Sequence, residues 1–287
     1  MQRNVTGMQG SKICSHIYRR IRSIASQIIP AGTAEPYNFK RAQEYWLNVP
    51  RAQGGNPFNT HELMHLSDDS LVQEFDKEME ISRRKEERKV GFALAAESIA
   101  DIEAPKVMDY GCGMGYYGFE IMARHHGAQV TFVDINEANV SAIKRIAEAK
   151  NLTSRVSYIY IRDEQARDLS FNIYFDLIVS MGVLHHTPYA HQIVRNLTPF
   201  LKDGGIFLVM LYNKTYLRQM ESAVGRRLSV SSFGAMTDPV IRGLTNPYSE
   251  PYDDAKAKRL FQGYKLISAE YPDPCYNTYR FRKLNRI

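Results

Sequence analysis

Three segments of this 287-residue chain combine residue types and spacings that could support chemistry. The first runs from Asp109 to Gly115 (DYGCGMG), where an acidic residue precedes glycines at alternate positions. Glycines adopt positive φ and let the backbone approach a ligand closely. The second is Asp134, at the end of an apolar run, and the third is the pair His185 and His186, whose side chains titrate near neutral pH. These segments predict a ligand-binding loop with a candidate general base nearby.

The elements that must position these residues alternate between strand and helix from Lys106 onward. Strands are predicted at 106–110, 130–133, 156–161, 177–180 and 206–211, with helices at 117–125, 136–150 and 190–201 and two further strands at 264–271 and 278–284. This alternation predicts a parallel sheet with helices on both faces. Ligands of open α/β sheets bind outside the carboxyl ends of the strands, which is where the three segments fall.

Over residues 105–212 the order and spacing of these segments resemble the class I S-adenosylmethionine (SAM)-dependent methyltransferases. The acidic residue and G-x-G-x-G of the loop match the first motif of that family. The segment FDLIVSMGVLHH, ending at His186, resembles its fourth motif, and residues 203–205 match the turn before strand five. The resemblance implies an α/β Rossmann-like sheet of seven strands, mostly parallel with the last antiparallel. An N-terminal helical cap and an insertion after strand five complete the predicted fold.

The resemblance also implies S-adenosyl-L-methionine as the cofactor. In that family the residue at the position of Asp109 lies near the methionine moiety, and the one at Asp134 accepts hydrogen bonds from the ribose. Ile135 would pack against adenine and Asp163 would meet its amino group. The full set of implied cofactor-binding residues is Asp109, Gly111, Cys112, Gly113, Gly115, Asp134, Ile135, Asp163 and Met181.

A competing interpretation is a nicotinamide enzyme, because residues 113–118 also spell G-x-G-x-x-G with Asp134 at a plausible distance beyond. That pattern starts two residues late, since Gly111 already occupies the turn after the strand. Asp109 and the segment VLHH are explained only by the methyltransferase interpretation, which we therefore favour.

The chain divides by pattern into four regions: an N-terminal helical or irregular cap (1–104), a SAM-binding core (105–212), a lid or substrate-binding insertion (213–262) and the last two strands (263–287). Residues 11–29 predict a basic amphipathic helix, for packing over the cleft, against a second subunit or on a membrane surface. Aromatic and polar residues outside the core are the substrate-binding candidates: Tyr45, Trp46, Tyr212, Asn213, Tyr248 and Tyr252.

For catalysis the candidates are His185 and His186, as base or substrate ligand, with His185 slightly preferred; the alternative is that one of them only packs. A base would assist a hydroxyl or protonated amine in displacing the methyl group from the sulfonium. His61 and His65 are four residues apart, but they have no cysteine or carboxylate partner at metal spacing, so no metal site is predicted.

Composition bounds the remaining expectations. No apolar run approaches the ~20 residues of a membrane span, and three distant cysteines fit a reducing compartment, the cytoplasm. The leading hypothesis is methylation of an O or N atom of a small metabolite, a natural-product intermediate or sugar with or without phosphate. The net charge of +6 keeps open an RNA-modifying methyltransferase, although no RNA-binding module is recognisable. A SAM-binding scaffold without activity, and a monomer or homodimer, are further alternatives.

Overall fold

The computed structural model describes residues 37–49, 59–238, 241 and 244–285. The helix predicted at 11–29 lies outside the described residues. The helices of the described part are α1 (Phe39–Asn48), α2 (Thr60–Leu63), α3 (Asp68–Arg84), α4 (Glu86–Glu97), α5 (Tyr116–Arg124), α6 (Glu137–Ala149), α7 (Ala190–Leu197), α8 (Lys214–Val224), α9 (Val230–Thr237) and α10 (Asp254–Leu260). The strands are β1 (Lys106–Tyr110), β2 (Gln129–Asp134), β3 (Val156–Tyr160), β4 (Phe175–Met181), β5 (Leu201–Tyr212), β6 (Tyr264–Asp273) and β7 (Tyr276–Lys283).

These strands form one seven-stranded sheet in the order β3-β2-β1-β4-β5-β7-β6. Strands β1 to β5 pair in parallel. Strand β7 is inserted between β5 and β6 and runs antiparallel to both, so β6 has the direction of the first five strands. The prediction of a mostly parallel Rossmann-like sheet whose last strand is antiparallel is confirmed.

Apolar side chains on both faces of the central strands explain why helices cover the sheet on both sides. On one face, Val107, Val179 and Leu208 pack with residues of α3 to α6 such as Phe92 and Ile143. The other face packs α7 and α10 in the same way, and its sheet residues include Met108, Ile178, Phe207 and Phe281. In the described part of the chain, the structure has no helix long and apolar enough to cross a membrane.

Several predicted boundaries differ from the structure by a few residues, and two of these differences have a clear local cause. Strand β5 begins at Leu201 rather than 206, because the expected turn at 203–205 is a bulge inside the strand: the register shifts between Phe175↔Leu201 and Leu177↔Ile206. Its Gly204 has a φ of 76°, which suits glycine. The sequence Ser70-Leu71-Val72-Gln73 matches a capping box and predicts a helix start at Ser70. Helix α3 instead begins at Asp68, because the side chain of Ser67 caps it by accepting a hydrogen bond from Ser70 N at 3.3 Å.

The segments flanking the core pack onto its carboxyl edge and its α6 side. Arg145 of α6 ties the α2–α3 region down by donating to the carbonyls of Met64 (3.0 Å) and Leu66 (2.6 Å). After β5, Tyr212, Met220 and Phe233 form a small apolar cluster that holds α8 and α9 beside the end of that strand.

Candidate active site

The loop after β1 owes its shape to glycines. Gly111, Gly113 and Gly115 have φ values of 70°, 55° and 77°, in the left-handed region that favours glycine. The backbone N–H of Gly111 donates to the carbonyl of Val133 at 2.7 Å, which ties the loop to β2. Gly115 is the N-cap of α5, so the N–H groups that open this helix lie next to the loop.

Asp134 ends β2 with its carboxylate held against this loop. One oxygen accepts the backbone N–H of Gly113 at 2.8 Å. The other accepts Asn136 N at 2.8 Å and Asn139 Nδ2 at 3.0 Å. The carboxylate is 4% exposed and is therefore a fixed acceptor at the edge of the sheet. The next residue, Ile135, connects this edge to α1, since its carbonyl accepts Gln43 Nε2 at 3.1 Å.

Asp109 lies inside the end of β1 and is buried. Its Oδ2 accepts the N–H of Gly118 at 3.0 Å. Burial raises the pKa of Asp109 to about 7; the Gly118 hydrogen bond opposes the rise, the charge of Asp134 adds to it and that of Arg88 opposes it. A cation bound beside Asp109 would favour its ionised form.

The remaining cofactor candidates have different environments. Asp163, after β3, forms an ion pair with Arg167 at 2.5 Å and accepts Gln165 N at 2.8 Å, so its oxygens are engaged at the surface. Met181 is the last residue of β4, and its Cε lies against Gly91 of α4. The Sγ of Cys112 lies 3.9 Å from Asp134 Oδ2, within the loop.

Aromatic rings cluster beyond the carboxyl ends of β4 and β5. The ring centroids of His185 and His186 are 4.1 Å apart, and that of His185 is 4.1 Å from Tyr212. The indole of Trp46, from α1, approaches the His186 ring to 4.5 Å. The 3-10 turn at Leu184–His186 places both histidines at this edge.

Polar residues of the insertion surround Nδ1 of His186. The amide Nδ2 of Asn246 lies 2.9 Å from it, the hydroxyl of Ser249 3.0 Å and the carbonyl of Tyr248 3.3 Å. The same Asn246 amide donates to Asp238 at 2.7 Å. Burial lowers the pKa of His186, and the carboxylate of Asp238 opposes that change. The imidazole is therefore neutral at pH 7.

Asp238 also accepts a hydrogen bond from the hydroxyl of Tyr212 at 3.1 Å, which completes a polar network from β5 to His186.

His185 has a different environment from His186. It is 1% exposed, and within the described residues neither of its ring nitrogens has a hydrogen-bond partner. Burial and the adjacent His186 hold its pKa well below the usual 6.5.

The structure brings together some of the substrate candidates and not others. Trp46 and Tyr212 contact the histidines, Tyr45 packs edge-on against Trp46, and Tyr248 contributes its backbone carbonyl. The side chain of Asn213 instead caps α8 by accepting Thr215 N at 2.8 Å. Tyr252 is buried in the core of the second face and donates to Glu250 at 3.0 Å.

Sequence reasoning missed Asp238, Asn246 and Ser249. Their only local signal is a pair of small polar residues in the proline-containing segment 246–252, which the sequence places in the insertion without indicating what they contact. It also missed Arg88, which lies in a run of mixed charges that predicts a solvated helical face.

Comparisons with known proteins agree with this geometry. A family model described as a methyltransferase domain matches residues 108–207. The chain is 29% identical over 126 residues to the ubiquinone biosynthesis O-methyltransferase of Coxiella burnetii, an alignment that covers 43% of this chain and 50% of that protein. The chain thus spans about half the length of the curated relatives it matches.

Two solved structures share the fold. An O-methyltransferase family protein from Burkholderia thailandensis is 13% identical with a TM-score of 0.54, covering 96% of this chain and 71% of that one. Human N-acetylserotonin methyltransferase, solved with SAM, is 15% identical with a TM-score of 0.51, covering 97% and 68%. At these identities the likeness shows the fold.

Residues 108–207 thus match a methyltransferase domain, and the two solved methyltransferases share the surrounding fold. S-adenosyl-L-methionine is the cofactor expected for such a domain. The residues present fit such a group. The loop glycines have the left-handed backbone that lets a main chain approach a ligand closely, a fixed carboxylate ends β2, and the buried carboxyl of Asp109 would be better satisfied beside a cation.

Proposed function

We propose that this chain transfers the methyl group of SAM to an oxygen atom of a small molecule. The observation that carries the proposal is the carboxylate of Asp134, fixed by Gly113 N at 2.8 Å beside a loop of left-handed glycines. This arrangement suits an adenosine whose ribose hydroxyls donate to a carboxylate. The names of the curated relatives, O-methyltransferases of ubiquinone biosynthesis, support oxygen as the acceptor atom.

In this proposal the cofactor lies along the carboxyl ends of β1 and β2. Asp134 accepts hydrogen bonds from the ribose, and Asp109 faces the ammonium group of the methionine moiety. Gly111, Cys112, Gly113 and Gly115 supply the cradle, and Ile135 and Met181 supply apolar contacts. Asp163 would contact the adenine only if its ion pair with Arg167 opens in part.

When bound, SAM supplies an electrophilic methyl group on a sulfonium. The protein must hold the acceptor oxygen in line with that methyl group and exclude water. The rings of Trp46, His186 and Tyr212 would form the walls for a small acceptor.

His186 is the base in this proposal. With a proton on Nδ1, the ring donates to the carbonyl of Tyr248 and the hydroxyl of Ser249, and the lone pair of Nε2 can accept the proton of an acceptor hydroxyl. The negative charge of Asp238, which acts to raise the pKa of His186 against the effect of burial, would stabilise the imidazolium that forms. His185 is more deeply buried than His186, and we assign it a packing role against the His186 ring.

The test is methyl transfer from labelled SAM to a panel of phenols, sugars and other hydroxyl compounds. We expect His186→Gln to lower the rate about 100-fold or more on an acceptor that the wild type methylates, without changing cofactor affinity. His185→Gln should keep more of the rate. His191→Gln, the same change at an exposed position of α7, is the control.

A full rate in His186→Gln would contradict the base assignment. Transfer to nitrogen compounds alone would contradict the assignment of oxygen as the acceptor atom.

A further inference from the structure

Arg88 is a half-buried cation beside the glycine loop. It lies in the first turn of α4, and its guanidinium carbon is 5.4 Å from the ring centroid of Tyr117 and 5.8 Å from that of Tyr116. Those two tyrosines open α5 directly after Gly115. Its neighbours are paired differently: Arg83 contacts Glu120 at 2.9 Å and Lys89 contacts Glu86 at 2.5 Å. Arg88 forms no such ion pair with a carboxylate of the described residues.

The packing of α4 directs Arg88 toward the carboxyl edge of the sheet. Gly91 follows Arg88 by three residues and so shares its face of the helix. A Cβ at Gly91 would collide with the hydroxyl of Tyr117 and lie 2.9 Å from Cε of Met181. That face of α4 is therefore in contact with the start of α5 and the end of β4.

Asp109, near the end of β1, lies within range of the positive charge of Arg88. Burial raises the pKa of Asp109 to about 7, and the positive charge of Arg88 is one of the groups that oppose the rise. The two groups form no direct ion pair. Asp109, which accepts Gly118 N in the first turns of α5, and Arg88, which lies over Tyr116 and Tyr117, therefore both lie near the start of that helix. The amino-acid end of the cofactor, which would lie there, carries both an ammonium and a carboxylate.

We propose that Arg88 binds the carboxylate of the methionine moiety of SAM, opposite Asp109, which faces its ammonium group. The inference rests on the proposed function and assigns a further cofactor residue to it. A guanidinium matches a carboxylate with two parallel N–H donors. The rings of Tyr116 and Tyr117 shield one side of the cation, which favours an anionic partner on the other.

The test compares two nucleosides by calorimetry. S-adenosylhomocysteine carries the amino-acid group, whereas 5′-methylthioadenosine has the same adenosine and sulfur without it. We expect Arg88→Ala to weaken S-adenosylhomocysteine about 10- to 100-fold and to leave 5′-methylthioadenosine within about twofold of wild type. Arg88→Lys should recover part of the loss, because it restores the charge but not the paired donors. Lys89→Ala, on the exposed side of the same helix, should change neither affinity.

Wild-type affinity for S-adenosylhomocysteine in Arg88→Ala would overturn the inference alone. An equal loss for both nucleosides would overturn it too, because Arg88 would then act through the fold of the loop. If the wild type binds neither nucleoside, the proposed function fails and the inference fails with it.

Discussion

At the scale of single residues, what the sequence could predict depended on how far apart the partners are in the chain. Asp109, the loop glycines and Asp134 belong to one strand–loop–helix–strand unit, so their arrangement follows from local pattern. The partners of His186 are Asn246 and Ser249, 60 and 63 residues away. That contact depends on how the insertion folds back over β5, and no periodicity in the sequence encodes it.

The contact between Trp46 and His186 gives a direct readout of the histidine. Trp46 is the only tryptophan in the sequence, and a protonated imidazole quenches a neighbouring indole. Because burial lowers the pKa of His186 below 6.5, we expect tryptophan fluorescence to stay constant near pH 7 and to fall only at lower pH, with a midpoint below 6.5.

His186→Gln should abolish this transition, whereas His61→Gln should keep it, and circular dichroism should show that the protein remains folded across it. A midpoint at or above 6.5 would contradict the lowered pKa of the buried His186. A transition that survives in His186→Gln would show that the fluorescence change does not come from the contact between His186 and Trp46.

At the scale of elements, the sequence predicted whether a segment is a helix or a strand better than it predicted where the element ends or what packs against it. The strands of the core were predicted within a few residues, because buried parallel strands are short apolar runs. Strand β5 begins at Leu201, before its predicted start at 206, because residues 203–205 form a bulge within the strand and not a turn before it. The mixed-charge run ending at Lys89 predicted a solvated face, yet Glu78 is buried and Arg88 half-buried. Charge pattern alone does not show that α3 and α4 turn part of this run toward α5.

The packing of α4 at Gly91 can be tested by adding one methyl group. Gly91→Ala should lower the free energy of unfolding by about 1–2 kcal/mol, because overpacking against Tyr117 and Met181 exceeds the ~1 kcal/mol gained in helix propensity. Denaturant unfolding measures this, with Lys89→Ala as an exposed control on the same helix that should leave stability unchanged. A Gly91→Ala variant as stable as the wild type would contradict the packing of α4 described above.

At the scale of the whole molecule, the order of strands places the functional groups more than any single contact does. Parallel strands β1, β2, β4 and β5 end at one edge, and their last residues are Tyr110, Asp134, Met181 and Tyr212. The cofactor loop therefore lies beside β2, and the histidines lie between β4 and β5. The alternation of strands and helices in the sequence predicted that the candidate residues lie at this edge. The segments that cover it, α1 and the described residues of the insertion (213–238, 241 and 244–252), have no repeating pattern in the sequence, so the sequence did not predict their contacts.

The most direct test of the central claim is calorimetric titration of S-adenosylhomocysteine into the wild type and Asp134→Asn. We predict one binding site in the wild type and an affinity lower by about 10- to 100-fold in Asp134→Asn, because the ribose hydroxyls lose a charged acceptor. Asp69→Asn, on the exposed side of α3, should bind as the wild type does. No binding heat with the wild type, or equal affinity in Asp134→Asn, would contradict the account.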